Sequence, residues 1–200
     1  AGGVCITTTG VGVIPAGREV SAGQVRPGDV VIVNGVLGDH GACILAARGD
    51  LMLSTDLVSD CAALGHLMEA VLAAAPGVRA ARDATRGGIA AVLNEIAGVA
   101  GVGIEIDEAA VPLRDEVRGV GEILGLGPVC LAAEGRLVVF VPEDEAGAAL
   151  AAMRTLPEGA GAVVIGRAVA AHPGQVRMRT LFGGSRIVDM LVGEQLPRIC

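Results

Sequence analysis

Along the chain, apolar residues gather in short runs separated by glycine- and proline-bearing breaks, and the spacing inside the runs alternates between two periods. "DVVIVNG" (29–35) is a continuous apolar run of the kind that makes a buried strand, whereas "VGIEID" (102–107) alternates as a half-buried strand does. "VRAARD" (78–83), "RLVVFVP" (136–142), "GAVVIGRAVA" (161–170), "QVRMRTL" (175–181) and "SRIVDM" (185–190) also read as strands, the last two joined by a hairpin turn at Phe182-Gly183-Gly184. "VCITTTGVGVIP" (4–15) reads as a strand that stops at Pro15-Ala16-Gly17, with no partner before it. Residues 17–28 look like a linker.

Helical spacing is clearest over 59–77, where Ser59 or Asp60 can cap the start and Pro76-Gly77 ends the run. Residues 38–50 read as a loop feeding a short helix that stops at Gly49, and 85–101 as a second amphipathic helix. Residues 113–125 form a polar-faced helix, and 143–156 a helix whose acidic first turn suits the positive helix end. Helices and strands alternate first and a run of strands closes the chain, so the fold class is α+β, a mixed or mostly antiparallel sheet with helices packed on it.

Composition narrows the functions available. Of the 200 residues 52% are hydrophobic but only 1% aromatic, so the core has to be built from Ala, Val, Leu and Ile. A net charge of −7 argues against a grip on nucleic acid or an anionic membrane. The apolar runs fall short of the ~20 residues a membrane span needs. All 15 basic residues are Arg, so no lysine here can act as a base or a phosphate clamp. Five cysteines at wide spacing form neither a disulfide framework nor a zinc pattern, which points to a reducing, cytoplasmic setting.

The segment richest in chemistry is "RDATRGGIAAVLNEIA" (82–97). A strand delivers Asp83, Thr85 and Arg86 follow at a turn, and Gly87-Gly88 opens a helix. Unpaired N–H groups at a helix start attract anions, and glycines let a phosphate come close. Two glycines there cost about 1 kcal/mol each relative to Ala, so something must justify them. Two readings are open at this point. Either the loop holds a phosphate, or the glycines serve tight helix packing and Thr85 and Asp83 serve as caps. The segment matches neither the GxxxxGK[ST] nor the GxGxxG pattern.

In "GDHG" (38–41) capping by Asp39 is the preferred reading, and His66 within a helix reads as structural. Glu134 in "AAEG" (132–135) reads as a solvated loop residue, and of Asn94 and Glu95 one is expected to face solvent. "GEQLPRIC" (193–200) ends on Cys200 beyond a proline that discourages helix. That thiol is either incidental or a carrier on a swinging arm.

"RDATRGGIAAVLNEIAG" resembles the D-P-T-R-G-G-L-x-x-x-L-N-E-I-A segment of the HypE family of hydrogenase maturation proteins, with Ala84 where that family usually has Pro. "ITTTGVGVIP", "GDVVIVNGVLGDHG", "AAEGRLVVFVP" and the closing "PRIC" are similar to it in the same order. The wider superfamily includes aminoimidazole ribonucleotide synthetase and selenophosphate synthetase. The resemblance implies the C-terminal domain of that fold over 29–190. It also implies a lead-in at 1–28 from a missing N-terminal domain, and a mobile tail over 191–200.

The chemistry it implies is ATP-dependent dehydration of a carbamoylated Cys200 to a thiocyanate, by way of phosphorylation of the carboxamide oxygen. The partner HypF would supply the carbamoyl group and the HypC–HypD complex would accept the cyano group. ATP and magnesium are implied, with a homodimer in the full-length protein. Carried over residue by residue, Cys200 is the carrier and Glu134 the base that removes a carboxamide proton. Asp83, Thr85, Arg86, Gly87 and Gly88 form the ATP loop, Asn94 lines the same cleft, and Arg198 steers the tail. Two other classes remain at this stage: a docking module without catalysis, and another ATP-using synthetase of the superfamily.

Overall fold

The computed structural model describes residues 7, 9–49, 55–125 and 127–190. Within them seven strands form one sheet: β1 (Val30–Val33), β2 (Ala80–Asp83), β3 (Gly103–Asp107), β4 (Leu137–Val141), β5 (Val163–Val169), β6 (Val176–Arg179) and β7 (Ser185–Ile187). The strand order is β2-β4-β1-β5-β3-β6-β7. Every neighbouring pair runs antiparallel except β3 and β6, which are parallel. The helices are α1 (Asp39–Arg48), α2 (Gly65–Ala74), α3 (Gly88–Ala100), α4 (Asp115–Leu124) and α5 (Ala146–Arg154).

Alternation along β1 explains why its sequence is apolar throughout. Val31 and Val33 join Ile89, Leu93 and Ile96 of α3 in one core cluster, while Val30 and Ile32 join Leu67 and Val71 of α2 and Met153 of α5 in another. A strand covered on both faces has no position left for a polar side chain. β3 lies further toward one edge, and there Glu105 is exposed while Ile104 and Ile106 are buried, which gives the alternating sequence. Phe140 is the largest fully buried side chain, worth about 1.5–3 kcal/mol of burial. A third, smaller cluster joins Ala42 and Leu45 of α1, Val117 and Val120 of α4, and Leu131.

Three expectations need correction. The helix expected over 59–77 begins only at Gly65, because Ser59 and Asp60 bond to other parts of the fold instead of to the next turn. The helix expected over 143–156 opens as a 3-10 turn, Glu143–Glu145, and becomes α-helical at Ala146. The strand expected over 4–15 is absent from its described residues. Thr7 and residues 9–15 pair with no strand, and Val11, Val13 and Ile14 are exposed, although the turn after Pro15 is present. A strand without a partner cannot satisfy its backbone. Other boundaries hold: α1 stops at Gly49, and a tight turn closes by a Gly183 N–H to Thr180 carbonyl bond between β6 and β7. Among the described residues no helix is long and apolar enough to cross a membrane.

Candidate active site

Two loops meet at one end of the β2–β4 pair. Asp83, the last residue of β2, is opposite Leu137, the first of β4. The ladder continues beyond both strands: the Ala84 N–H donates to the Arg136 carbonyl at 3.0 Å, and the Ala133 N–H donates to the Ala84 carbonyl at 2.9 Å. Residues 83–85 and 133–137 are thereby locked side by side. The Ala84 N–H is a donor that proline could not supply, so the departure at this position strengthens the ladder.

After Ala84 the chain turns into α3. The Gly88 N–H donates to the Thr85 carbonyl at 2.9 Å, closing the turn. Gly87 has φ +80° and Gly88 φ +59°, conformations that carry strain for a residue with a Cβ. A Cβ on Gly88 would stand 2.5 Å from the carbonyl oxygens of both Val129 and Leu131, and one on Gly87 2.8 Å from the Ala91 Cβ. The space that Gly88 leaves is therefore filled by protein backbone, not left for a ligand, and this by itself justifies the glycine. Capping by Thr85 or Asp83 is corrected: no side chain bonds to the first turn of α3, whose N-cap is Gly87. Thr85 is half-buried, and Asp83 and Arg86 are exposed beside that uncapped start.

The loop before β4 is held from several sides. Asn34, fully buried, donates to the Gly135 carbonyl at 3.2 Å and the Glu158 carbonyl at 2.8 Å, and accepts the Leu137 N–H at 2.7 Å. Arg136 donates through Nε to the Val36 carbonyl at 2.6 Å. Asp60 Oδ1 accepts the Glu134 N–H at 3.0 Å, and Asp60 Oδ2 lies 3.6 Å from Arg136 Nε. Burial pushes the Asp60 carboxyl above its ordinary range, with the Arg136 charge pulling against it. Glu134 is not the solvated loop residue expected: it is half-buried, and its Oε1 is buried without a hydrogen-bond partner.

Nearby, α1 opens on Asp39 and His40. Asp39 is no cap, since the N-cap is Gly38 and no side chain bonds the first turn. Its carboxylate instead accepts from Arg114 Nε at 3.0 Å, which raises the Arg114 pKa. His40 Nδ1 and Ser59 Oγ share a hydrogen bond at 2.8 Å. Among the described residues, six side chains carry a buried polar atom without a hydrogen-bond partner, and four of them, Asp39, His40, Asp60 and Glu134, belong to this neighbourhood. Buried polar groups are ordinarily satisfied, so such a concentration marks a place where a ligand or water completes the bonding.

Asn94, expected to line the cleft, and several residues with no expected site role lie elsewhere in the fold. Asn94, well inside α3, donates through its amide to the carbonyls of Ala90 at 2.9 Å and Val188 at 2.8 Å, tying the helix to the segment after β7. Glu95 is the solvent-facing neighbour and pairs with Arg82 at 3.1 Å. His66 is exposed and pairs with Glu158 at 3.0 Å. Cys130 is buried, which pushes its thiol pKa up and leaves it inert. Cys200 and Arg198 lie outside the described residues, as does the tail over 191–200. Asp60 and Asn34 were missed as supports of the site. In sequence one looks like a helix cap and the other falls within the run read as a buried strand, and only contacts across 74 and 101 to 124 positions reveal them.

The sheet order, the helix pair on one face and the glycine turn into α3 define a domain class. The chain belongs to the family described as AIR synthase related protein, C-terminal domain, which matches over residues 26–179. Within that class it is similar to proteins named HypE. It is 76% identical to carbamoyl dehydratase HypE of Rhodobacter capsulatus over 99% of this chain and 58% of that protein. A solved hydrogenase maturation protein HypE in complex with ATP superimposes with TM-score 0.84 and 42% identity, covering 90% of this chain and 55% of the other. A HypE–HypF complex gives TM-score 0.81 and 38% identity, with 86% and 56% covered. The chain thus spans a little over half the length of the relatives it matches.

Proposed function

We propose that this chain is the C-terminal part of an ATP-dependent carbamoyl dehydratase that makes the cyanide precursor for hydrogenase maturation in the cytoplasm. Residues 1–28 are a lead-in segment, 29–190 form the domain described above, and 191–200 are the carrier tail. HypF carbamoylates Cys200, and the HypC–HypD complex takes the cyano group. The whole protein works as a homodimer.

In this reading the carboxamide oxygen attacks the terminal phosphorus of ATP, ADP leaves, and the nitrogen loses one proton. Loss of phosphate and of the second nitrogen-bound proton leaves S–C≡N. Glu134 accepts a carboxamide proton. Arg86 pairs with phosphate oxygens, and the uncapped start of α3 with Thr85 faces the same anion. Gly87 and Gly88 shape that loop, Asp83 closes its other side, and Asn94 holds α3 in place behind it. Among the described residues no group of three or more His, Cys, Asp or Glu is arranged to hold a metal. Magnesium would come with the nucleotide, whose phosphates it binds together with one or two carboxylates, and no step assigned here runs through it.

The observation that carries the proposal is the backbone lock between 83–85 and 133–137, which sets the anion loop beside a half-buried glutamate with an unsatisfied oxygen. The test is intact mass spectrometry of the whole protein with HypF and carbamoyl phosphate, followed by Mg-ATP. A carbamoyl adduct on Cys200 that loses one water only after ATP is added is the expected result. An adduct that never dehydrates leaves a carrier and docking module, and no adduct at all removes the carrier role.

A further inference from the structure

Two motifs far apart in sequence, GDHG (38–41) and AAEG (132–135), meet through a segment expected to be helix. Asp60 lies where they join. Its side chain is 1% exposed, one carboxylate oxygen accepts the Glu134 N–H, and the other faces Arg136. The Asp60 carbonyl sits so tightly over the next residue that a Cβ on Gly135 would stand 1.8 Å from its oxygen. On its other flank, Ser59 anchors the segment to His40 of α1. The grip of Asn34 reaches Gly135 and Leu137, so it is Asp60 that holds the amide of Glu134 itself. A carboxylate accepting an N–H makes a stronger bond than a neutral acceptor does.

We propose that Asp60 is a positioning residue that fixes the backbone of Glu134, and so the direction from which that carboxylate reaches the carboxamide. The inference rests on the reading of Glu134 as the base. In the whole protein, Asp60→Ala is expected to lower the dehydration rate constant by about a hundredfold with the KM for ATP unchanged, the scale at which small misplacements act. Asp60→Asn keeps an acceptor oxygen and is expected to recover to within about threefold of the wild type.

Two readouts besides activity test the tie. The Glu134 amide is expected to exchange slowly wherever an acceptor remains, so it is slow in wild type and Asp60→Asn and fast in Asp60→Ala. In wild type, the Glu134 amide proton resonance is expected to titrate together with the Asp60 carboxyl carbon, which keeps the test open if Asp60→Ala fails to fold. Unchanged amide protection or rate constant in Asp60→Ala, or an amide resonance indifferent to Asp60 protonation, overturns the proposal. If Glu134→Gln dehydrates like wild type while Asp60→Ala frees the amide, the reading of Glu134 as base fails and the tie from Asp60 stands.

Discussion

Residues 83–88 and residues 132–137 are neighbours through two backbone hydrogen bonds, and they come by their conformations differently. The first loop carries its instructions locally: a strand end, a turn residue and two glycines at positive φ. The second has an ordinary sequence, and its shape is imposed from distant parts of the chain by Asn34, by Asp60 and by the Val36 carbonyl that Arg136 bonds. A local device is costly to change at the glycine that meets backbone and inexpensive at its exposed side chains. An imposed loop is sensitive wherever one of its distant supports is removed.

The largest effect is expected at Gly88. Gly88→Ala places a Cβ 2.5 Å from two carbonyl oxygens at φ +59°, so backbone must move. A loss of about 4 kcal/mol is expected, the range reserved for clashes and backbone strain, as measured by urea unfolding. Gly87→Ala meets only the Ala91 methyl carbon and should cost about 2 kcal/mol. Equal costs at the two positions would break the division of roles between the glycines. Next comes Asn34→Ala, which leaves one buried and two partly buried backbone groups without their partner and is expected to cost about 3 kcal/mol. A cost below about 1 kcal/mol would mean that the second loop holds itself.

The supports can also be compared by pH. Burial raises the Asp60 pKa, so the folded state binds its proton more tightly than the unfolded chain. Its contribution to stability is then full below the unfolded carboxylate pKa, about 3.9, and is lost as pH rises through the folded value. Asp107 is the opposite case, since its hydrogen bond from Arg179 lowers its pKa. Its contribution is present above the unfolded pKa and is lost as pH falls through the folded one. Unfolding curves from pH 3 to 7 should therefore show Asp60→Asn gaining on wild type as pH rises and Asp107→Asn falling behind. Slopes of the same sign would mean that Asp60 is not desolvated in solution.

Much of the fold was legible because its causes are local. The unbroken Val30–Val33 run, the alternation at Gly103–Asp107 and the glycine stop of α1 each announce an element from a few adjacent residues. The first loop of the site was legible for the same reason. What was not legible depends on contacts across the sheet. Ser59 and Asp60 have the right chemistry to start a helix, and the chain uses both to bond His40 and Glu134 instead. Glu134 looks solvated in sequence because nothing near it predicts that Asp60 and Asn34 will draw its loop inward. For Gly88 both room for a ligand and tight packing stayed open in sequence, and only the fold shows the carbonyls of Val129 and Leu131 in that space.

The smallest effect on the fold, and the sharpest on the comparison, is expected at Arg86. Its side chain is exposed and makes no hydrogen bond or ion pair among the described residues. Arg86→Ala should therefore change stability by no more than about 0.5 kcal/mol, the usual range for surface positions away from special features. With Gly88 already explained by backbone contacts and Gly87 by its positive φ beside the Ala91 methyl, a free guanidinium is what the first loop has left to offer an anion. Calorimetric titration of the whole protein with Mg-ATP should show affinity falling about tenfold or more, the worth of one charged hydrogen-bonding contact. Unchanged affinity would leave the first loop a structural turn and move the chemistry of this domain onto the second, whose distant supports would then be the residues to vary next.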